Sequence, residues 1–372
     1  MPRKILITGG AGFVGSHTAD ALLCLGWDVR VFDNLSKQVH TRGFPSYLSK
    51  EVEFVHGDVR DIDALGKALV GVDAVFHLAA AVGVGQSMYQ IADYTANNIL
   101  GTANLLEAIL RNKQDLRKLI VASSMSIYGE GTCLCRRCGE VAPSERTAEQ
   151  LDGKRWELCC PNCFSEVHPV PTDESRPLHC ASIYAISKKN QEEMVLLFGK
   201  TYGIPAVALR YFNIYGTRQS LSNPYTGVAA IFASRLMNGN IPVIFEDGNQ
   251  LRDFVSVHDV VQANLLALRS SEADGMALNV GTGDPVSVVD VANEIATLLD
   301  LPANFVGSEK FRAGDIRNCF ADISRIASVL GYRPRVSFRK GMEELVDWLK
   351  SQQAEDHTQE AFEQLAAYRL VA

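Results

Sequence analysis

Tyr184, Lys188 and Ser124 have residue types and positions that suit acid–base chemistry. Tyr184 and Lys188 are four positions apart at the start of a predicted helix, so both side chains project from one face. A neighbouring lysine cation stabilises a phenolate and lowers the tyrosine pKa from its usual value of about 10. Ser124, at the end of a predicted strand, could relay a hydroxyl proton. The three residues predict general acid–base catalysis, although a strand-end cap is the alternative for Ser124.

A glycine-rich turn, Thr8–Gly15, lies between a predicted strand and a predicted helix. Gly9 would make the tight turn, Gly12 would let the backbone approach a diphosphate, and Gly15 would allow close helix–strand packing. The helix N-terminus would offer free N–H groups and a positive dipole end. This context predicts a dinucleotide site, and the alternative is a plain strand–helix turn.

Two aspartates end the strands that follow this turn. Asp33 lies 18 residues after Gly15, where a carboxylate accepts hydrogen bonds from ribose hydroxyls and repels a 2′-phosphate. NAD is therefore favoured over NADP, and a strand-end turn residue is the alternative for Asp33. Asp58 ends the next strand, where it would meet the adenine amino group or cap the following helix.

Six of the nine cysteines lie within 31 positions, which predicts a metal site in a cytosolic chain. Two Cys-x-x-Cys pairs with 21 residues between them have the spacing of a zinc ribbon. Four thiolates would close a tetrahedral structural zinc site with no open position. The predicted ligands are Cys135, Cys138, Cys160 and Cys163. Cys133 and Cys159 could each replace a neighbour, and free thiols or a redox pair are the alternatives.

Strands that alternate with helices must position these groups. This order predicts an α/β fold with a Rossmann-like, doubly wound parallel sheet. Strands are predicted at 4–8, 28–33, 52–56, 74–78, 118–123, 207–210 and 243–245. Helices are predicted at 13–25, 62–70, 89–111, 182–202, 257–269 and 288–299.

Changes in composition predict the domain organisation. Residues 1–129 and 172–215 would form an NAD-binding Rossmann domain, interrupted by a zinc-ribbon-like insertion at 130–171. Residues 216–350 would form mainly a smaller C-terminal substrate-binding lobe, with some segments returning to the Rossmann domain. Residues 351–372 would be a tail, either a docked helix or a loose end. Ligands of such sheets bind at the carboxyl ends of the strands, so the cleft between the lobes is the expected site.

Composition excludes several classes of protein. The chain has 372 residues, of which 47% are apolar, so it is not mainly disordered. Its formal net charge of −7 argues against a nucleic-acid or membrane-surface partner. Its apolar runs are shorter than the roughly 18 residues of a membrane span, and the apolar N-terminal stretch is too short for a signal peptide. We therefore expect a cytoplasmic protein.

Several motifs occur in the order found in one family. They include Thr8–Gly15, Asn97–Thr102, Ser123–Gly129, Tyr184–Lys188, Arg210–Gly216, Arg252–Val255 and Arg312–Asp315. With them the chain resembles the extended short-chain dehydrogenase/reductase family of nucleotide-sugar epimerases and dehydratases. The resemblance implies bound NAD, a nucleotide-diphosphate sugar as substrate, and a homodimer formed by helices near 89–111 and 182–202.

The resemblance also implies roles for individual residues. Ser124, Tyr184 and Lys188 would be catalytic. The cofactor would contact Gly9, Gly12, Phe13, Val14, Gly15, Asp33, Asn34, Asp58, Val59, Leu78, Ala79, Ala80, Asn98, Tyr184, Lys188 and Tyr211. The substrate would contact Val84, Gln86, Ser124, Asn213, Val228, Arg252 and Arg312. The two arginines would hold the diphosphate, which the planar guanidinium can bind through two hydrogen bonds.

The residues after Ser124 distinguish between reactions within the family. Dehydratases of the family carry an Asp-Glu pair there, whereas this chain has Met125 and Ser126, which cannot act as acids near neutral pH. The predicted activity is therefore 4-epimerisation of a dTDP- or UDP-hexose through transient C4 oxidation. Together, Ser123–Gly129, the cysteine insertion and residues 210–227 resemble a subgroup described as dTDP-L-rhamnose 4-epimerases.

The sequence is also compatible with other functions. The same fold could serve a UDP-uronic-acid epimerase or a nucleotide-sugar reductase. A non-catalytic NAD-binding scaffold that docks a partner through the zinc ribbon is an alternative of another class.

Overall fold

The computed structural model describes residues 4–312, 314–352 and 355–371. Ala313, part of the motif around Arg312, lies outside the described residues. The strands are β1 (Lys4–Thr8), β2 (Asp28–Asp33), β3 (Glu53–His56), β4 (Ala74–His77), β5 (Lys118–Ser124), β6 (Cys133–Cys135), β7 (Gly139–Val141), β8 (His168–Pro169), β9 (Ala206–Tyr211), β10 (Asn213–Tyr215), β11 (Leu251–Ser256), β12 (Ala277–Val280), β13 (Pro285–Ser287) and β14 (Asn318–Cys319).

The helices connect and cover these strands. They are α1 (Phe13–Cys24), α2 (Ile62–Ala68), α3 (Val84–Ser87), α4 (Ile91–Tyr94), α5 (Gly101–Arg111), α6 (Ala148–Asp152), α7 (Ile183–Tyr202), α8 (Val228–Met237), α9 (Val257–Arg269), α10 (Val288–Leu298), α11 (Ser324–Leu330), α12 (Phe338–Leu349) and α13 (Thr358–Ala367). A π-helical turn covers Thr95–Leu100 and a 3₁₀ turn covers Met125–Tyr128.

Seven parallel strands form the main sheet, in the order β3-β2-β1-β4-β5-β9-β12. The order reverses between β1 and β4, and ligands of doubly wound sheets bind at the carboxyl ends of the strands beside such a reversal. The predicted Rossmann-like α/β fold is confirmed. β12 completes the sheet from within the segment predicted as the smaller lobe.

Both faces of the main sheet are buried, as continuous apolar strands require. In β1, Ile5 and Ile7 belong to one apolar cluster, which α1 and α9 cover. Leu6, between them, belongs to the cluster on the opposite face, beneath α2, α5 and α7. The alternation follows from the two-residue period of a strand. The rigid sheet therefore fixes the positions of the turns at its carboxyl edge.

A second lobe is built around β11. This strand pairs with β10, β13 and β14, and α8, α10 and α12 pack into a separate apolar cluster. The register of β11 with β14 places Arg252 opposite Cys319. This register places Arg252 next to the residues that directly precede β14.

The insertion is a small antiparallel unit of β6, β7 and β8. Its core contains only six buried apolar residues, and three of these are cysteines: Cys133, Cys135, Val141, Leu158, Cys160 and Val167. A core of this size supplies little hydrophobic stabilisation, and small natural units of this kind rely on metal ions or disulfides.

Two predicted elements differ from the structure. The helix predicted at 89–111 begins at Ile91 and includes the π turn at Thr95–Leu100. A side chain at Gly101, directly after the π turn, would lie 2.6 Å from the Val59 side chain. Glycine therefore allows the loop before α2 to approach the helix closely. The strand predicted at 243–245 is wrong, because this segment is irregular, although the backbone oxygen of Ile244 accepts a hydrogen bond from the Ser308 N–H.

The tail is a docked helix where the structure describes it, and α13 packs beside the α3 loop. No helix within the described ranges combines the length and apolar character needed to cross a bilayer.

Candidate active site

A cavity of about 890 Å³ lies between the main sheet and the second lobe, at the upper end of the range for ligand pockets of about 300–1,000 Å³. Every residue predicted to contact cofactor or substrate lines this cavity except Asp58 and Asn98. Segments as far apart as Gly9 and Arg312 therefore converge on one site.

The glycine-rich turn has the shape that a diphosphate requires. Gly9 has a φ of +69°, and a side chain there would lie 2.7 Å from the Ala79 nitrogen. A side chain at Gly15 would lie 2.6 Å from the Gly10 Cα. At Gly12 it would meet only the Gly9 oxygen within 4 Å, so the remaining side is open. Because α1 has no side-chain cap and no acid in its first turn, its N-terminus suits an anion.

Asp33 lies on the cavity wall beside this turn. Its carboxylate accepts hydrogen bonds from the N–H groups of Ala11, at 3.0 Å, and Leu35, at 2.9 Å. The carboxylate thus braces the turn and also presents negative charge to the cavity. This position suits a ribose with free hydroxyls better than a phosphorylated one.

Asp58 and Asn98, both predicted to contact the cofactor, do not line the cavity, and both form hydrogen bonds within the protein. Asp58 accepts two hydrogen bonds from the Arg60 guanidinium, at 2.9 and 2.7 Å, and this ion pair holds its pKa far below the usual range. It does not cap α2, whose cap is Asp61. Asn98 is buried and bonds both backbone groups of Ala81, so it shapes the cavity loop from behind.

Ser124, Tyr184 and Lys188 lie together on the cavity wall. Ser124 ends β5, and its Oγ accepts a hydrogen bond from the Ser126 hydroxyl at 2.9 Å. Tyr184 is in the first turn of α7, and its backbone N–H donates to Ser87 at 3.0 Å. Lys188 follows one turn later, and its Nζ donates to Gln191 at 2.8 Å. The sheet end and the helix start therefore hold the predicted catalytic groups in one place.

Burial dominates the acid–base properties of this group. It raises the pKa of Tyr184, which a hydrogen bond with Ser124 opposes. It lowers the pKa of Lys188 to about 7, which Glu192 opposes. Burial also lowers the pKa of His77 to about 3, so this imidazole is neutral. The lysine thus changes charge near neutral pH, beside the phenol.

Three carboxylates lie on the cavity wall, and none of them is next to Ser124 in the chain. They are Asp33, bound to the glycine-rich turn, Asp315, bound to two arginines, and Asp93, exposed in α4. Met125 and Ser126 line the wall after Ser124. The positions next to Ser124 therefore offer no carboxylic acid to protonate a leaving hydroxyl.

Arg252 and Arg312 face the other end of the cavity and share one carboxylate. Arg312 donates two hydrogen bonds to Asp315, at 3.2 and 2.9 Å, and Arg252 lies 3.5 Å from the same carboxylate. The guanidinium of Arg312 also lies over the Phe245 ring, 4.6 Å from its centroid. Two cations held side by side form a suitable site for a diphosphate.

The tail contributes wall residues that our sequence analysis missed. Phe362, Leu365 and Leu370 line the cavity. The side chain of Gln364 in α13 accepts hydrogen bonds from two tyrosines, Tyr89 at 2.9 Å and Tyr225, which lines the cavity, at 3.0 Å. The apolar spacing of Ala361 and Leu365 indicates a buried helix face, but no local pattern identifies what that face covers.

The insertion brings the four predicted ligand cysteines together. Their sulfurs lie within 4.8 Å of one another, and the Sγ atoms of Cys135 and Cys163 are 3.5 Å apart. A tetrahedral zinc with Zn–S bonds of about 2.3 Å places its sulfurs about 3.8 Å apart. The arrangement therefore fits a closed four-sulfur site, and Cys133 and Cys159 lie outside the cluster.

The chain matches known families over most of its length. Residues 5–150 match the NAD dependent epimerase/dehydratase family, and residues 157–345 match the GDP-mannose 4,6 dehydratase family. It is 32% identical to a dTDP-L-rhamnose 4-epimerase of Burkholderia thailandensis, over 93% of this chain and 95% of that protein. It is 34% identical to a putative UDP-glucose 4-epimerase of Methanocaldococcus jannaschii, over 93% and 98%.

The chain belongs to the NAD-dependent epimerase/dehydratase family. Solved structures agree with this assignment. A UDP-glucose 4-epimerase of Thermotoga maritima with UDP-glucose is 31% identical, with a TM-score of 0.76 over 93% of this chain and 98% of that one. A UDP-glucose 4-epimerase of Thermus thermophilus complexed with NAD is 31% identical, with a TM-score of 0.74 over 94% and 100%. The predicted family, NAD dependence and enzyme class are confirmed.

Proposed function

We propose that this chain is an NAD-dependent 4-epimerase of nucleotide-diphosphate hexoses, with dTDP-L-rhamnose as its first candidate substrate. One observation carries this proposal: Ser124, Tyr184 and Lys188 line the cavity together, while Met125 and Ser126 stand where elimination would need acids. The Burkholderia relative and the cysteine insertion favour dTDP-L-rhamnose among the possible substrates.

NAD would be held by the glycine-rich turn, the N-terminus of α1 and Asp33. The open side of Gly12 and the uncapped helix end suit its diphosphate, and Asp33 suits its adenosine ribose. When bound, NAD supplies a hydride acceptor that later returns the hydride. Epimerisation need not consume NAD, because the hydride taken from the sugar is returned to it.

Tyr184 would accept the proton of the C4 hydroxyl and return it, with Ser124 bonding the same hydroxyl. Burial alone makes the phenol a weak acid, so a cation must favour its ionised form. Lys188 is one helical turn away and supplies that charge when protonated. The geometry thus supports a base that is active while the lysine is charged.

Arg252 and Arg312 would bind the diphosphate of the substrate while the hexose turns over in the cavity. Epimerisation needs both faces of C4 to meet the same groups in succession. An anchor at the diphosphate allows this, because the sugar can rotate about the link without leaving. Val84, Gln86, Asn213 and Val228 line the wall around the remaining space.

A structural zinc and a homodimer complete the proposal. The four-sulfur cluster and the small core of the insertion support the zinc site. The dimer would form through α5 and α7 with the turns before them, where Leu100, Ile186 and Leu197 are exposed. Exposed apolar side chains on a paired helical surface are typical of subunit contacts.

The test uses the enzyme as purified, with no NAD added. dTDP-, UDP- and GDP-hexoses, beginning with dTDP-L-rhamnose, are incubated in large excess, and the sugar products are identified by NMR. We expect complete equilibration of one C4 epimer pair.

Two outcomes would contradict the proposal. Conversion that stops after one equivalent indicates a reductase or dehydrogenase, because the bound cofactor is then not regenerated. Loss of water from the sugar indicates a dehydratase.

A further inference from the structure

The orientation of Arg252 and Arg312 depends on a short stretch that we call the clamp segment, residues 315–318. Arg252 donates to the backbone oxygens of Ile316 and Arg317, the latter at 3.0 Å. Arg312 donates twice to the Asp315 carboxylate. A shift of this segment would therefore move both guanidinium groups at once.

Arg146, which belongs to the insertion, contacts the clamp segment from the side away from the cavity. Its Nη2 donates to the backbone oxygen of Asp315 at 3.0 Å, and its Nη1 lies 2.8 Å from Glu246. Its Nε is 3.8 Å from Glu130. The side chain is only 2% exposed, and it does not line the main cavity.

The partners of Arg146 secure the same segment. The Glu130 carboxylate accepts the backbone N–H groups of Arg317, at 2.8 Å, and Asn318, at 3.1 Å. The Arg317 side chain lies 3.1 Å from Glu246 and also pairs with Glu157 of the insertion. Burial raises the pKa values of Glu130 and Glu246, and the charge of Arg146 opposes this. A buried cluster of charges thus joins the insertion, the second lobe and the clamp segment.

We propose that Arg146 is a positioning residue for substrate binding: from the insertion it holds the clamp segment, and thereby aims Arg252 and Arg312 at the substrate's diphosphate. The proposal rests on the proposed function of these two arginines. A planar guanidinium can bond the Asp315 oxygen and pair with Glu246 at the same time, which a lysine cannot do with the same geometry. The insertion would therefore act on substrate affinity without contacting the substrate.

The test compares Arg146→Met and Arg146→Lys with Arg155→Met, an exposed arginine of the same insertion. UDP and dTDP, which carry the diphosphate without a sugar, are titrated calorimetrically into the NAD-loaded enzymes. For Arg146→Met we expect Kd, and KM for the nucleotide sugar, to rise about tenfold or more, with kcat within about threefold and unchanged NAD content. Arg146→Lys should be intermediate, and Arg155→Met should match the unsubstituted enzyme.

Arg252→Met separates this inference from the proposed function. If Arg252→Met weakens UDP and dTDP binding and Arg146→Met does not, the positioning role is overturned and the diphosphate site stands. If Arg252→Met leaves binding unchanged, the diphosphate assignment fails and the inference fails with it.

A merely structural role is also distinguishable. Arg146→Met would then lower kcat and NAD content together with substrate affinity, which would overturn the proposal. If that variant does not fold, Arg146→Lys decides, because unchanged binding of UDP and dTDP in it would contradict a role for the guanidinium geometry. In the supported case, Arg146→Met and Arg252→Met combine to less than the sum of their separate effects.

Discussion

The phenol of Tyr184 is subject to opposing electrostatic effects. Burial disfavours its ionised form, while Ser124 and the charged form of Lys188 favour it. Lys188 is itself buried, and its lowered pKa near 7 means that its charge is easily lost. The proposed base, Tyr184, therefore depends on the charge of Lys188, which burial disfavours.

Replacing Tyr184 with Phe should remove turnover and leave cofactor binding intact. The ring would still pack edge-to-face against Tyr94, 6.4 Å away, so the wall should keep its shape. Loss of a general base reduces kcat by about 10²–10⁴-fold. Steady-state kinetics measures kcat, and the absorbance of released dinucleotide measures bound NAD. Turnover close to that of the unsubstituted enzyme would exclude Tyr184 as the base.

Lys188 should make stability depend on pH. Its pKa is about 7 in the folded chain and about 10.4 when unfolded, so between these values the unfolded state binds more protons. The free energy of unfolding should therefore rise with pH in this window, by at most about 1.4 kcal/mol per pH unit. This contribution is complete above about pH 10.4 and is lost progressively as pH falls from there to about 7.

The measurement is urea unfolding between pH 7 and 10, after removal of bound dinucleotide, for the unsubstituted chain and for Lys188→Met. The methionine variant should lack the rise because it has no proton to lose. Parallel curves for the two proteins would show that Lys188 is not the group responsible.

Local spacing was sufficient to predict some site residues and not others. Tyr184 and Lys188 follow from helical periodicity, and the glycine-rich turn follows from the conformations that only glycine adopts. The hydrogen bond that Tyr89 donates to Gln364 joins residues 275 positions apart, so no local signal contains it. Likewise, the partner of Asp58 is a neighbouring arginine, and sequence alone did not reveal that this pair is formed.

At the scale of elements, apolar periodicity predicted six of the seven strands of the main sheet and the helices α1, α2, α5, α7, α9 and α10, but not β12 or most of the shorter elements. The predicted strand at 243–245 shows where this fails. The segment is apolar because Ile244 packs into the second lobe and the Phe245 ring lies beneath Arg312. It does not pair with a neighbouring strand. A short apolar run reports burial, and burial alone does not determine backbone pairing.

The insertion should depend on its metal. Cys135→Ser with Cys138→Ser removes two of four sulfurs, and so few buried apolar residues cannot replace the lost binding energy. We expect metal analysis to show about one zinc per chain in the unsubstituted protein and almost none in the variant, with a lower midpoint of thermal unfolding.

Cys159→Ser is the matched control, because Cys159 is exposed and outside the sulfur cluster. It should keep its zinc. A full complement of zinc in the Cys135→Ser, Cys138→Ser variant would overturn the assignment of these ligands.

At the scale of the whole molecule, chain segments distant in sequence enclose one cavity. The main sheet supplies one wall, the second lobe faces it, the insertion lies behind the clamp segment, and α13 returns to the rim. Tyr368 stacks on Tyr89 with ring centroids 4.8 Å apart, and Leu365 packs against the α3 loop at Gly85. The tail is thus part of the substrate site's wall.

A chain that ends at Gln352 should therefore bind its nucleotide sugar more weakly and retain its NAD. Removing Phe362, Leu365 and Leu370 opens the cavity at its rim, far from the glycine-rich turn. We expect KM to rise about tenfold with little change in NAD content. Leu365→Ser should reproduce part of this effect, whereas Glu363→Ser, on the exposed side of the same helix, should not. Equal KM values for the truncated and full chains would show that α13 covers the cavity without contributing to substrate binding.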